Sequence, residues 1–249
     1  MARRRKLKNK CVLVTGASSG IGFHIAQQFL QRGARVGVHY CHNREGAEEL
    51  ARGLSVDRCA IFQADFSNTQ QVHALWKEFY NWAGNISVLV NNAGDASAPM
   101  PLGEFSEEVW DRTFQINLKA PVILSQAAMK VMQQAGWGRI INISSIGVKY
   151  GGGITTAHYS ASKSALEAMT LSFAKEGAPH NVLVNAIRAG VTDTAIHEKI
   201  GRKDLTGRAQ LIPLKRVAQP NEIANMAVFL ASEESSFITG GILPVAGGE

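Results

Sequence analysis

A doubly wound α/β fold, with a parallel sheet covered by helices on both faces, is what the sequence predicts. Three observations carry this. Short β-rich apolar runs alternate with amphipathic helical stretches along the whole chain. Two central runs, Ile86–Val90 and Arg139–Ile143, are nearly continuous apolar segments, as strands buried on both faces require. The first run passes through a glycine-rich turn directly into a helix.

The elements follow in order. Cys11–Thr15 reads as the first strand and Gly20–Gln31 as a helix; Ala34–Tyr40 is the second strand and Asn43–Gly53 a helix. Arg58–Gln63 is the third strand, Thr69–Trp82 a helix and Ile86–Val90 the fourth strand. Helical pattern covers about Ser106–Gln134, as two segments meeting near Asn117. Arg139–Ile143 is the fifth strand, Tyr159–Gly177 a long helix and Val182–Ile187 the sixth strand. A late helix at Gln219–Ala231 and a short strand at Ile242–Val245 close the chain. No repeat or linker divides it, so residues 10–249 are expected to form one domain behind a basic tail of residues 1–9.

The formal charge of +6 belongs to the first ten residues. Arg3, Arg4, Arg5, Lys6, Lys8 and Lys10 are their six cations, and the remaining chain holds 20 basic and 20 acidic residues. A neutral body without an aromatic–basic array argues against a nucleic-acid partner. Every long apolar stretch is broken by charge, Gly or Asn, so no membrane association is expected. The basic start lacks the apolar run of a signal peptide, which points to the cytoplasm. Cys11, Cys41 and Cys59 form no C-x-x-C pair, and neither a disulfide framework nor a metal site is expected.

Ligands of doubly wound sheets bind beyond the carboxyl ends of the strands. At the end of the first strand stands Thr15-Gly16-Ala17-Ser18-Ser19-Gly20-Ile21-Gly22. Gly16 permits a tight turn, Gly20 lets the backbone approach a pyrophosphate, and Gly22 lets the helix pack close to the sheet. The helix N-terminus offers N–H groups and a favourable dipole to the anion. This T-G-x-x-x-G-I-G turn resembles the cofactor motif of the short-chain dehydrogenase/reductase family, in its single-domain branch. The resemblance runs from about residue 9 to the end and implies a Rossmann-like domain with a nicotinamide dinucleotide on Gly16, Ser18, Ser19, Gly20, Ile21 and Gly22.

The second strand ends in Val38-His39-Tyr40-Cys41-His42-Asn43-Arg44, with no acid before Glu45. A carboxylate there would grip a ribose 2′-hydroxyl and repel a 2′-phosphate. Arg44 can instead offer a bidentate cationic fork, with His42 and Asn43 as polar neighbours, so NADP(H) is expected over NAD(H). The competing reading of Arg44 is an exposed cation at a helix start. The resemblance adds Tyr40, Asp65, Phe66, Asn92, Ala93 and Gly94 to the cofactor set, the last three within Asn91-Asn92-Ala93-Gly94. It also adds Gly190, Val191 and Thr194 beside the nicotinamide.

Tyr159 and Lys163 stand four apart on one helix face. A phenol is a poor acid–base group at neutral pH, and a nearby ammonium is expected to lower its pKa. Ser145, just past the fifth strand, can hold a carbonyl or alcohol oxygen. The resemblance implies that Tyr159 protonates that oxygen as hydride arrives at carbon. It further implies that Lys163 tunes Tyr159 and binds the nicotinamide ribose, and that Asn117 joins a water-borne proton relay to Lys163. Ser145 lies 14 positions before Tyr159, one more than is common in the family, which leaves Ser144 as a rival, although alignment on Gly138–Ile143 favours Ser145. Lys149–Gly153 is expected to absorb the extra residue.

Two further departures stand out. Arg188-Ala189-Gly190 replaces the usual Pro-Gly after the sixth strand, which should loosen that turn, and Ala246 stands where Asp is frequent. Residues 194–216 read as a helical lid. Met100, Tyr150, Ile154 and Ile196 suggest an apolar pocket lining. The pattern is nearest to 3-oxoacyl-[acyl-carrier-protein] reductases. Yet the cations those enzymes offer an acidic carrier are missing from Gln133–Trp137 and Ala178–His180. The expectation is therefore a general carbonyl/alcohol oxidoreductase, with an acyl thioester reductase as the alternative. A non-catalytic NADP(H) sensor is disfavoured because Asn117, Ser145, Tyr159 and Lys163 are all present. The family's habit implies a homotetramer, with Ala161, Ala165, Ala168 and Met169 available for packing.

Overall fold

A computed structural model describes residues 7–96, 99–194 and 204–249. Seven strands form one sheet: β1 (Cys11–Val14), β2 (Arg35–Tyr40), β3 (Cys59–Gln63), β4 (Val88–Asn91), β5 (Gly138–Ser145), β6 (Val182–Ala189) and β7 (Ile242–Val245). Their order is β3-β2-β1-β4-β5-β6-β7, and every neighbouring pair is parallel. The chain order reverses between β1 and β4, which opens a crevice at their carboxyl ends. This is the Rossmann-like doubly wound sheet that the alternating pattern predicts.

Helices α1 (Gly20–Gln31), α2 (Arg44–Ala51), α3 (Thr69–Ala83), α4 (Glu107–Phe114), α5 (Ala120–Ala135), α6 (Ala157–Gly177), α7 (Thr206–Leu211) and α8 (Pro220–Leu230) cover it. Strand alternation supplies both faces. Val12 and Val14 pack with Ile25, Phe29, Ala224 and Val228, whereas Leu13 packs on the other side with Leu75, Phe79, Leu124 and Met129. Local chemistry sets the helix ends. The Asn68 side chain accepts from the Gln70 and Gln71 N–H groups to start α3, and Gly84 in the left-handed region ends it. Pro220 opens α8, and Gln219 and Glu222 form a capping box there.

Strands β5 and β6 run two residues further than their apolar cores suggest, because Ser144↔Arg188 and Ser145↔Ala189 still pair. The predicted break near Asn117 is a π-turn, Gln115–Lys119, between α4 and α5. Lys149–Gly153 is only partly a loop. A 3-10 turn covers Ile146–Tyr150, and Gly151 and Gly152 follow with φ of +72° and +81°. Leu7 is buried and donates its N–H to the Arg32 carbonyl, so it packs with the domain although the sequence reading places it in the tail. Of the expected lid, α7 is helical and residues 195–203, with Ile196, lie outside the described residues. Ala246 is buried against Gly190, so the C-terminal segment packs without an Asp. No helix among the described residues is long and apolar enough to cross a membrane.

Candidate active site

The glycine turn sits in the crevice and is gripped from the β4 side. The Asn92 side-chain amide donates to the Thr15 and Gly16 carbonyls at 2.9 and 3.0 Å, and the Thr15 hydroxyl accepts from the Asn92 and Ala93 N–H groups. Gly16 has φ +62°, and a Cβ there would lie 2.8 Å from Ala93 Cα. A Cβ on Gly22 would lie 2.2 Å from the Gly16 carbonyl oxygen. Across the crevice, a Cβ on Gly20 would touch Thr194 at 3.1 Å, which puts the segment after β6 opposite the helix start. Helix α1 begins without a side-chain cap and without an acid in its first turn. An uncapped helix start lined with glycine fits an anionic phosphate group.

The flank beyond β2 is shared between structure and exposed surface. The Asn43 side chain donates to the Ser18 carbonyl at 2.9 Å and accepts from the Gly46 N–H, so it bridges the glycine turn to α2. The imidazole Nε2 of His42 lies 3.3 Å from Cys41 Sγ. Arg44 is exposed, and its Nε donates to Glu48 at 2.7 Å. An exposed pair of this kind is weak and leaves the guanidinium available to a better anion. Asp65 accepts from the Ser67 N–H, which holds its carboxyl below the usual range, and Phe66 beside it is buried.

On the other side of β4, helix α6 presents Tyr159 and Lys163. The Tyr159 phenol faces the Ser145 hydroxyl, whose oxygen accepts from the Gly147 N–H at 3.1 Å. The Lys163 Nζ is buried, donates to the Ile143 carbonyl at 2.8 Å and lies 5.9 Å from the centre of the Tyr159 ring. Asn117 joins them through α6. Its amide donates to the Ser162 hydroxyl at 3.1 Å, and that hydroxyl donates to the Tyr159 carbonyl. Its remaining bonds go to the Asp95 main chain. Gly94 stands between the two, since a Cβ there would be 3.3 Å from both Asn117 Oδ1 and Lys163 Nζ. The four residues expected to share one site therefore do converge.

Their electrostatics differ from the expectation drawn from spacing. Burial pushes the Tyr159 phenol above its ordinary value, and the Ser145 hydroxyl pulls it only part of the way back. Burial also pushes Lys163 down to about 8. Desolvation disfavours both charges, so proximity of an ammonium does not by itself lower the phenol.

Ser144 and Ser145 separate cleanly. The Ser144 hydroxyl donates to Glu167 Oε1 at 2.7 Å, and Arg188 forks onto the same carboxylate at 2.8 and 2.7 Å. This ion pair joins β5, β6 and α6 directly before Ala189-Gly190, where it supplies the fixation that a Pro would otherwise give. Glu167→Ala would leave a guanidinium and a hydroxyl without their partner. It is expected to reduce the unfolding free energy by about 2–3 kcal/mol, less than for a fully enclosed pair because Arg188 keeps solvent access. Urea melts of Glu167→Ala and of Glu167→Ile/Arg188→Ala check this, the apolar pair recovering most of the loss.

Other predicted positions are placed as follows. Tyr40 and Val191 are buried, and Gly190 donates its N–H to the Val245 carbonyl. Met100 is buried, and its sulfur accepts from the Ser106 N–H. Tyr150 and Ile154 are 55% and 87% exposed, and Gly151 and Gly152 between them lie in the left-handed region. No group of three or more metal-ligating side chains occurs among the described residues. His39 and the Glu167–Arg188 pair went unread in the sequence. The available signals were a polar residue at a core position of β2 and an acid one helical turn beyond Lys163.

Comparison with known proteins agrees with this geometry. Residues 16–249 match the family model described as "Enoyl-(Acyl carrier protein) reductase". The chain is 35% identical over 246 residues to the 3-oxoacyl-[acyl-carrier-protein] reductase FabG of Aquifex aeolicus, covering 98% of each. It is 33% identical to a short-chain type dehydrogenase/reductase of Picea abies, covering 98% of this chain and 93% of the relative. A solved short chain dehydrogenase/reductase family protein superposes with a TM-score of 0.86 at 32% identity, over 98% of both chains.

Proposed function

The chain belongs to the short-chain dehydrogenase/reductase family of oxidoreductases, and on that footing we propose that it interconverts a carbonyl and a secondary alcohol with NADP(H). The observation that supports this best is the Tyr159 phenol facing the Ser145 hydroxyl, with Lys163 buried one helical turn further along the same helix. The family implies a nicotinamide cofactor, which when bound supplies or accepts hydride at the substrate carbon.

The chain's own residues would then act as follows. Gly16, Ser18, Ser19, Gly20, Ile21 and Gly22 hold the pyrophosphate. Tyr40, His42, Asn43, Arg44, Asp65 and Phe66 border the adenosine half. Asn92, Ala93, Gly94, Gly190, Val191 and Thr194 border the nicotinamide half. Asn92 acts through its bonds to Thr15 and Gly16. Ser145 donates to the substrate oxygen, and Tyr159 passes the proton on its Oη to that oxygen as the C–O bond is reduced. A phenol kept neutral by burial suits the acid role in reduction. In the oxidative direction the same Oη accepts the alcohol proton. Lys163 holds the nicotinamide ribose and, with Asn117, resupplies the proton.

The preference for the 2′-phosphorylated cofactor rests on Arg44 and on the absence of an acid at the end of β2. Arg44→Ala is expected to lower the ratio of NADPH to NADH catalytic efficiency about tenfold, measured by initial rates with both. A ratio unchanged by the substitution would reassign Arg44 to its pair with Glu48.

For the substrate, a free ketone is the primary reading, because no arginine or lysine stands at Gln133–Trp137 beyond Lys130, nor at Ala178–His180. A 3-oxoacyl thioester is the second reading, favoured by the names of the FabG relatives. NADPH consumption with small ketones, 3-oxoacyl-CoA and 3-oxoacyl-carrier protein separates them. Higher efficiency on the carrier-borne substrate would reverse the order. We extend the reading to a homotetramer, supported by Ala161, Ala165 and Ala168 along α6, of which Ala168 is exposed with its neighbour Leu171, whereas Met169 packs against the chain's own core.

A further inference from the structure

His39 is a polar side chain in a strand whose neighbours Val36 and Val38 are core residues, and the proposed reaction makes no use of it. Its ring is 2% exposed and has a partner on each nitrogen. The Gly16 N–H donates to Nδ1 at 3.0 Å, so Nδ1 carries no proton. Nε2 lies 3.0 Å from the Ala64 carbonyl oxygen, which can only accept, so Nε2 carries it. The ring face stacks on Phe66, with centroids 4.2 Å apart and planes 5° from parallel. The His39 carbonyl accepts from the Ala17 N–H at 2.8 Å. One residue thus holds the start of the glycine turn and the loop after β3 together.

The opposite side of the turn is held separately. Asn92 donates to the Gly16 carbonyl while His39 accepts from the Gly16 N–H, so the peptide groups on both sides of Gly16 are fixed. Gly16 is in the left-handed region at φ +62°, a conformation that a less constrained turn has no reason to keep. Burial pushes the His39 imidazole down to about 4, and the neutral donor–acceptor pattern therefore persists through neutral pH.

We propose that His39 is a positioning residue for the dinucleotide, fixing the separation between the turn that receives the pyrophosphate and the Ala64–Phe66 loop that borders the adenosine half. The inference rests on the cofactor reading above. His39 reaches neither substrate nor reacting atoms and acts through Gly16 and Ala64. A turn that is ordered before binding pays no ordering entropy when the ligand arrives.

The test measures NADPH and 2′,5′-ADP binding by titration calorimetry in the wild type, His39→Phe and His39→Asn, with kcat and KM on the best ketone. Phe retains an aromatic ring for stacking and removes both nitrogens. Its Kd for both ligands is expected to rise about tenfold, with kcat at saturating NADPH within about twofold of the wild type. Asn keeps one donor and one acceptor on a shorter stem and is expected to fall between. A folded His39→Phe protein with wild-type Kd values, or a loss of kcat at constant KM, overturns the proposal. If neither variant folds, the wild type decides. Its ¹⁵N imidazole spectrum must show the Nε2–H tautomer, with exchange of that proton slowed further by NADPH, and an Nδ1–H tautomer or an NADPH-insensitive proton refutes the clamp. A wild type that binds neither ligand refutes the cofactor reading instead.

Discussion

Tyr159→Phe is expected to lower kcat by about a thousandfold while leaving the Kd for NADPH within about twofold. The substitution removes one oxygen and keeps the ring that α6 packs in place. What is lost is the proton that must reach the substrate oxygen as hydride reaches carbon. No described neighbour can replace it. The Ser145 hydroxyl is a far weaker acid, and the Lys163 Nζ is turned to the Ile143 carbonyl. Single-turnover rates and calorimetry on the same preparation separate chemistry from binding. A variant retaining a tenth of wild-type kcat would remove Tyr159 from the acid–base role. A parallel loss of NADPH affinity would instead mean that the phenol chiefly builds the cofactor site.

Gly22→Ala is expected to weaken NADPH binding by about a hundredfold and to lower the melting temperature. One methyl group has this effect because of what it meets. The new Cβ would stand 2.2 Å from the Gly16 carbonyl oxygen and 2.4 Å from the Asn92 side-chain nitrogen. Neither can step aside cheaply. Gly16 is bonded through its N–H to His39, and Asn92 is bonded to Thr15. Overpacking against backbone costs about 1–3 kcal/mol, and the strain is expected to relax by opening the turn proposed to hold the phosphates. Thermal melts with and without NADPH, together with calorimetry, check both parts. Wild-type affinity in Gly22→Ala would show that α1 tilts away from the sheet without disturbing the turn.

Much of this site was legible in the sequence because its parts are local patterns. The glycine spacing sits between a strand and a helix, and α1 has the predicted bounds Gly20–Gln31. Tyr159 and Lys163 share a face because four residues make about one helical turn. The break at Asn117 was visible as an over-long helical pattern, although its π geometry was not. Less legible were side chains whose role is set by a distant partner. Asn43 reads as a cofactor contact, and its side-chain bonds to Ser18 and Gly46, which join the glycine turn to α2, were not readable from the sequence. Tyr150 and Ile154 read as apolar pocket lining, and their exposure of 55% and 87% beside two left-handed glycines was not readable from the sequence.

The sequence by itself determined the order of strands and helices, the glycine turn between β1 and α1 and the pairing of Tyr159 with Lys163. Each depends on periodicity or spacing within a few residues, which the backbone enforces directly. Only the tertiary structure decided what Ser144 does, since that required Glu167 and Arg188 to meet it from α6 and β6. It also decided the direction in which the phenol shifts. Spacing brings a cation near, but burial by distant segments sets the penalty on charge, and at Tyr159 desolvation is the larger effect.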